Sequence, residues 1–405
     1  MGTWLLALLL LLLFVAPARA GDRIVARAYL EDPAGLLTFE EARRGTYTPY
    51  TGVLNRGYSP SAFWLRLTVN ADEGTGPQTP LGHLVLRVRP AFLDEAELFD
   101  PIEPRAAPRR TGDRHPWNQD EARTVTPGFI LPLGAGTRDV WLRMRTTSSA
   151  IIDVTALPPD EAARAEANLL LGASAYIGAM TLLAFWGLLQ YVLVSRFVAI
   201  VFFAKQVAAT ILSLGSFGHS RFLLDGIVAP ATIDALTSAA TVALVCTGLA
   251  FHAVFLQPYR PARWTMVALT FLVSLGPVGF VLFALDATQF AIALNAKAAT
   301  LGITITLVAA ATTKRHNTTD PAGPGHGGYI RKPLLVGLSV AEVVGVLLIT
   351  LPLLGVVTSP TLTLVNVQIW ILFSGFMMMA ALQLETLAAI RERNAATIRA
   401  TTAER

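Results

Sequence analysis

The chain of 405 residues contains a single cysteine. As the single cysteine, Cys246 can form no internal disulfide, and in its apolar run neither thiol chemistry nor a cysteine-based metal site is expected. A lone cysteine in such a place acts as a small hydrophobe. Charge is scarce as well: 15% of the residues are Asp, Glu, Lys or Arg, against 53% hydrophobic, and the mean hydropathy is +0.52. That is too apolar for an ordinary water-soluble domain and points to a membrane protein. The net charge is only +4, and the polar part holds no basic run interleaved with aromatics. Nucleic acid is therefore not expected as a partner.

What charge there is gathers in the first half, after a short leader. Residues 1–20, "MGTWLLALLLLLLFVAPARA", have an apolar core from Leu5 to Val15 and small residues at Ala18 and Ala20. That is the pattern of a signal peptide cleaved before Gly21. An uncleaved anchor is the alternative, and either one exports the chain from Gly21 onward.

Residues 21–167 are polar enough to be soluble and read as β structure. "HLVLRV" (83–88), "EAELFD" (95–100) and "GFILPL" (128–133) are short runs bounded by Pro and Gly, as in an all-β sandwich. "TFEEARRG" (38–45) predicts a helical turn with Thr38 as cap and Glu41 at the capping-box spacing. Two further strands alternate with period two. In "GYSPSAFWLRLTV" (57–69), Phe63, Leu65, Leu67 and Val69 share one face, and Trp64, Arg66 and Thr68 the other. "DVWLRMRT" (139–146) repeats the arrangement, with Val140, Leu142 and Met144 opposite Trp141, Arg143 and Arg145.

The Trp/Arg face has two readings. In one, Trp64 and Trp141 pack in the core, and Arg66 and Arg143 pair at its edge with Asp94, Glu95 or Asp153. In the other, the face is a sugar platform, with indole against C–H groups and guanidinium toward hydroxyl or carboxylate. Residues 101–127 read as a long loop or excursion. Within them "RRTGDRHPWNQDEAR" (109–123) is the other ligand candidate, because Arg114, His115, Trp117, Asn118 and Asp120 crowd one Pro/Gly-bounded stretch. Loops on a rigid sandwich often carry recognition. The plainer reading is a solvated loop whose tryptophan fills a gap. His115 beside Asp113 offers a weak cation ligand pair, but the spacing specifies no metal.

Composition changes sharply at Asn168. Apolar stretches run over 169–194, 197–217, 231–256, 264–285, 290–312, 333–357 and 362–384. Each is at or above the ~20 residues that span a hydrocarbon core as a helix. With the β domain outside, the inner loops hold Arg196, Arg260, Arg263, Lys314, Arg315, Arg331 and Lys332, and the outer loops only Arg221. That bias agrees with the positive-inside rule and leaves the C-terminus inside. Ionisable groups within spans are costly and therefore informative. Lys205 in the second span, Lys297 in the fifth and Glu342 in the sixth are candidates for an intramembrane relay, although Lys205 has the alternative of snorkelling. The seventh span has no lysine, which argues against a retinal protein.

Several strings resemble the bacterial seven-transmembrane receptors with diverse intracellular signalling modules. They are "YLEDPAGLLTFEEA" (29–42), "NRGYSPSAFWLRLTVN" (55–70), "FLDEAELFDP" (92–101) and "VWLRMRTTSSAIIDVTALPPDEA" (140–163) in the exported domain. "LLQYVLVSRFVAIVFFAKQ" and "GSFGHSRFLLDG" are similar to the family's first membrane hairpin. The resemblance implies a jelly-roll-like sandwich, similar to carbohydrate-binding modules, that senses an external ligand. It also implies seven helices that relay the signal to a histidine kinase or diguanylate cyclase. Here the pattern departs from the family's: about 20 residues come after the last span, too few for either catalytic domain. No kinase His motif and no cyclase Gly-Gly-Asp/Glu-Glu-Phe motif is present in the sequence.

The expected architecture is a membrane protein with a leader (1–20), an N-terminal all-β sandwich sensor (21–167), a seven-transmembrane α-helical bundle (168–385) and a short cytoplasmic helical tail (386–405). It is placed in the inner membrane of a Gram-negative-type bacterium, with the sandwich in the periplasm. The expected function is reception of a small-molecule or carbohydrate-like ligand, passed to a separate kinase or cyclase, with lipid as the other partner. No catalytic residue, metal or cofactor is expected. An ion or proton transporter with a periplasmic lid is the alternative, because Lys297 and Glu342 sit near mid-span. Against it, no inverted repeat and no paired broken helices are visible. A structural anchor for a periplasmic partner is the third reading.

Overall fold

The computed structural model describes residues 21–70, 82–103, 107–134, 136–313, 332–353 and 363–403. The expected leader and the whole of the basic loop at 314–331 lie outside them.

The strands form two antiparallel sheets. The first has the order β2-β1-β4-β9-β6-β7, from β1 (Ile24–Asp32), β2 (Thr48–Pro49), β4 (Ala62–Asn70), β6 (Glu95–Phe99), β7 (Arg109–Thr111) and β9 (Thr137–Arg145). The second has the order β3-β10-β5-β8, from β3 (Leu54–Asn55), β5 (His83–Arg89), β8 (Gly128–Pro132) and β10 (Ile151–Leu157). The two strands with Trp/Arg alternation are neighbours, and their register sets Trp64 opposite Arg143 and Arg66 opposite Trp141. Period-two alternation then turns Phe63, Leu65, Leu67, Val69, Val140, Leu142 and Met144 inward together. They meet Leu84, Leu86, Val88, Phe129, Leu131 and Val154 of the second sheet in one core. Each such side chain taken out of water contributes roughly 1.5–3 kcal/mol.

The other face of the first sheet is also covered. The helical turn α1 (Phe39–Arg44) carries the full capping box, Thr38 accepting from Glu41 N and Glu41 accepting from Thr38 N. It lays Phe39 over the paired strands. Phe39 stacks on Phe99 at 4.6 Å and meets Trp141 edge-on at 5.6 Å, while Trp64 lies 5.3 Å from Phe99. Trp64 is 1% exposed.

The helical half comprises α2 (Pro159–Val194), α3 (Phe197–Ser216), α4 (His219–Leu223), α5 (Pro230–Leu256), α6 (Arg263–Ala284), α7 (Thr288–Thr312), α8 (Lys332–Leu353) and α9 (Thr363–Ala403). Six helical segments among the described residues are long and apolar enough to cross a membrane: α2, α3, α5 with the turn after it, α6, α7 and Val367–Ala388 of α9. The helix of the first span begins before the composition change at Asn168: α2 starts at Pro159, directly after the last strand. Pro159 sits at the first helical position with Asp160 and Glu161 in the first turn, which suits the missing N–H and the positive helix end. An apolar run marks only the lipid-buried part of such a helix; its polar first turns belong to the sandwich it leans on.

Candidate functional site

Of the residues expected to bind ligand, Arg114, His115 and Trp117 lie at the junction of sandwich and bundle. The excursion after β6 is not a free loop: it forms β7, then a tight turn, then a 3-10 turn at Trp117–Gln119. Gly112 makes that turn with φ +138°, and a Cβ there would lie 2.2 Å from the Asp94 carbonyl oxygen. Only glycine fits. The close approach brings Asp113 and Arg114 beside Asp94.

From this turn the chain reaches the bundle at several points. Arg114 donates to Asp234 of α5 through Nε (2.9 Å) and Nη2 (2.7 Å), and its Nη2 also lies 3.1 Å from Asp94 Oδ2. Arg221 of α4 donates Nε to the His115 carbonyl (2.8 Å), and its Nη1 lies 2.7 Å from Asp120. Trp117 N donates to Asp225, and its ring packs edge-on against Phe222 at 5.0 Å. A separate strut lies at the base of β5, where buried Arg87 bonds Glu166 of α2 at 2.9 Å. Glu166 also accepts from Thr126 N at 3.0 Å.

Beside these contacts opens a cleft of about 700 Å³ with walls from both halves. The sandwich supplies Asp94, Glu95, Arg110, Arg114, His115, Arg145 and Thr147; the α6–α7 turn supplies residues 286–290. Asp286 holds a left-handed conformation at φ +57° there, a conformation uncommon outside glycine that Asp tolerates better than most. Burial, then the carboxylates of Asp234 and Asp94, push the Asp113 carboxyl well above the usual range. Burial pushes the His115 imidazole below its ordinary value.

The sequence candidates separate into groups. Arg114 and His115 line the cleft, Trp117 faces α4, and Asn118 is exposed beside it. Trp64, Arg66, Trp141 and Arg143 do not line the cleft, and the two tryptophans are buried. Their expected partners are corrected. Arg143 bonds Glu97 and the Gly35 carbonyl, and Arg66 lies over the Tyr47 ring. Asp94 and Asp153 are taken by Arg114 and Arg89. Glu97 wins because it stands opposite Arg143 in the β6–β9 register.

In the bundle, Lys205 and Glu342 come together and Lys297 does not join them. Lys205 Nζ lies 3.3 Å from Ser374 Oγ of α9, and Ser374 also hydrogen-bonds Glu342 of α8. Both charged residues are 4% exposed, whereas Lys297 is exposed on α7.

Sequence reasoning gave Arg221, Asp234, Glu166 and Arg87 no part in a site. One signal was present: Arg221 is the single basic residue in the outer loops, and an exception to a charge bias needs a partner. Asp120 is that partner.

Residues 26–157 match the family model 7TMR-DISM extracellular 2, an N-terminal sensor domain of seven-transmembrane receptors. That family is a receptor sensor domain rather than an enzyme family. No curated protein matches the chain.

Proposed function

Starting from a 7TMR-DISM extracellular 2 domain set on a bundle of apolar helices, we propose that the protein is a bacterial receptor of the inner membrane. A small polar ligand, carbohydrate-like or bearing a carboxylate, binds in the cleft between sandwich and bundle. The observation that carries this reading is that the cleft has one wall on each body. A ligand touching both has different affinity for docked and shifted arrangements, which is the condition for moving a two-state equilibrium. A volume of about 700 Å³ suits a small molecule, and guanidinium groups at Arg110, Arg114 and Arg145 suit anionic or hydroxylated ligands.

In this reading α8 is the seventh crossing, the sandwich is periplasmic and the end of α9 is cytoplasmic. The helix continues past its apolar window to Ala403, giving a rigid rod to carry the change to an effector on another chain, a kinase or a cyclase. The buried Lys205–Ser374–Glu342 group favours a second reading, an ion or proton path. The exposure of Lys297 leaves that path without its third member.

The test is a panel of sugars, sugar acids and amino acids screened by thermal shift on the full chain in nanodiscs. A stabilising ligand is expected to lose its effect with Arg145→Ala on one wall and with Gln289→Ala on the other. Dependence on neither wall would remove the cleft as the site. Ligand-independent ion flux abolished by Glu342→Gln would support the second reading.

A further inference from the structure

Three carboxylates meet where the sandwich sits on the bundle. Asp94 and Asp113 come from the sandwich and Asp234 from α5, and one oxygen of each lies within 4.8 Å of the others. Asp94 and Asp234 share one guanidinium, that of Arg114. Asp113 differs from them: it is 8% exposed, and its Oδ1 has no hydrogen-bond partner among the described residues. A buried carboxylate oxygen left without a donor is costly, and here two further carboxylates stand beside it.

We propose that Asp94, Asp113 and Asp234 form a divalent-cation site of the calcium type that ties the sandwich to the bundle. Hard carboxylate oxygens suit Ca2+ or Mg2+ rather than a softer metal. Ca2+ takes six to eight oxygens in a flexible geometry, whereas Mg2+ demands a near-ideal octahedron, and ligands drawn from two bodies suit the first. The Thr147 hydroxyl, 2.9 Å from Asp94 Oδ2, stands nearby as a further oxygen donor, and water completes the shell. Occupancy would replace the bonds of Arg114 to Asp94 and Asp234 and free that side chain toward the cleft it already lines. The site joins residues of both bodies, so the cation would stabilise the docked arrangement by mass action.

The experiment uses the full chain in nanodiscs of zwitterionic lipid, stripped with a chelator. Equilibrium dialysis with radioactive calcium is expected to show one saturable site per chain, with a dissociation constant of about 0.1–1 mM, the range of extracellular modules. Calcium is expected to raise the melting temperature above that in sodium chloride of equal ionic strength, with magnesium less effective. Asp113→Asn and, separately, Asp234→Asn are each expected to abolish the site. The second variant lies on the other body and keeps the test open if the first does not fold. No saturable binding by the wild-type chain up to about 10 mM, ten times the weakest of those constants, overturns the proposal, as does unchanged binding in either folded variant. Equal binding of magnesium overturns the calcium assignment.

Discussion

Arg221 Nη1 lies 2.7 Å from Asp120 Oδ2, with only 3% and 1% of the two side chains exposed. The pair joins a helix of the bundle's outer hairpin to a loop of the sandwich, and no lipid or bulk water shields either charge. Removing one partner leaves the other buried and unbalanced, at a cost of about 3–5 kcal/mol. Arg221→Ala and Asp120→Ala are therefore each expected to lower the melting temperature of the full chain clearly. Both should also open the loop at residues 109–123 to trypsin. The double replacement Asp120→Leu/Arg221→Met should recover most of the loss, since no unpaired charge remains. Additive losses in the double variant would mean that the two residues do not act as a pair.

The covered Trp/Arg face gives the second prediction. Trp64 is 1% exposed, and its Nε1 has no acceptor among the described residues. Truncation to alanine removes a large buried ring and should cost about 3–5 kcal/mol. Trp64→Phe should cost less than about 1.5 kcal/mol, because an aromatic stays in place and the unsatisfied N–H goes with the indole. Any ligand found in the screen should bind Trp64→Phe as it binds the wild type. A selective loss of sugar binding in that variant, with the melting temperature retained, would restore the sugar-platform reading.

Acid should loosen the outer hairpin through His219. Burial holds its imidazole below the ordinary value of 6.5. Well above pH 6.5 neither folded nor unfolded chain carries a proton there, so the group adds no pH dependence. As pH falls below 6.5 the unfolded chain takes up a proton before the folded one, so stability is lost across the window down to the lowered value. The imidazole is only partly buried, so the effect is smaller than that of breaking the Arg221–Asp120 pair. Melting curves between pH 7.5 and 5.5 should therefore fall more steeply for the wild type than for His219→Gln. Equal slopes would remove the histidine as the cause.

Much of the sandwich was legible because period-two alternation is a direct consequence of strand geometry. Phe63, Leu65, Leu67 and Val69 face the core as the pattern requires, and Thr38 and Glu41 form the box their spacing specifies. Register was not legible. That Trp64 faces Arg143, and that Arg143 takes Glu97 rather than Asp94 or Glu95, depends on which strands become neighbours. The junction was the least visible, because its partners stand far apart in the chain. Asp120 and Arg221 are brought together by docking, and no local spacing announces it. The first turns of α2 were hidden for a related reason. Its first turns are polar because they lie against the sandwich, where Arg87 balances Glu166.

The buried charges of the bundle permit a sharper contrast. Lys205 and Glu342 share Ser374, and the three side chains come from α3, α8 and α9. In the bundle interior neither charge has water to fall back on, so each depends on the other. Lys205→Met or Glu342→Leu alone should cost about 3–5 kcal/mol, while the double variant should fold with most of the stability regained. Lys297 is exposed on α7, so Lys297→Ala should change stability by less than about 0.5 kcal/mol. A receptor that uses the pair to set the balance between two helix arrangements should, in the double variant, still bind ligand but lose the ligand-dependent change at α9. Spin labels on α9 near Ile390 would read that change as a shift in distance on adding ligand. A double variant that keeps the full shift would leave the pair with a purely structural role, and the route inward would have to run through other contacts.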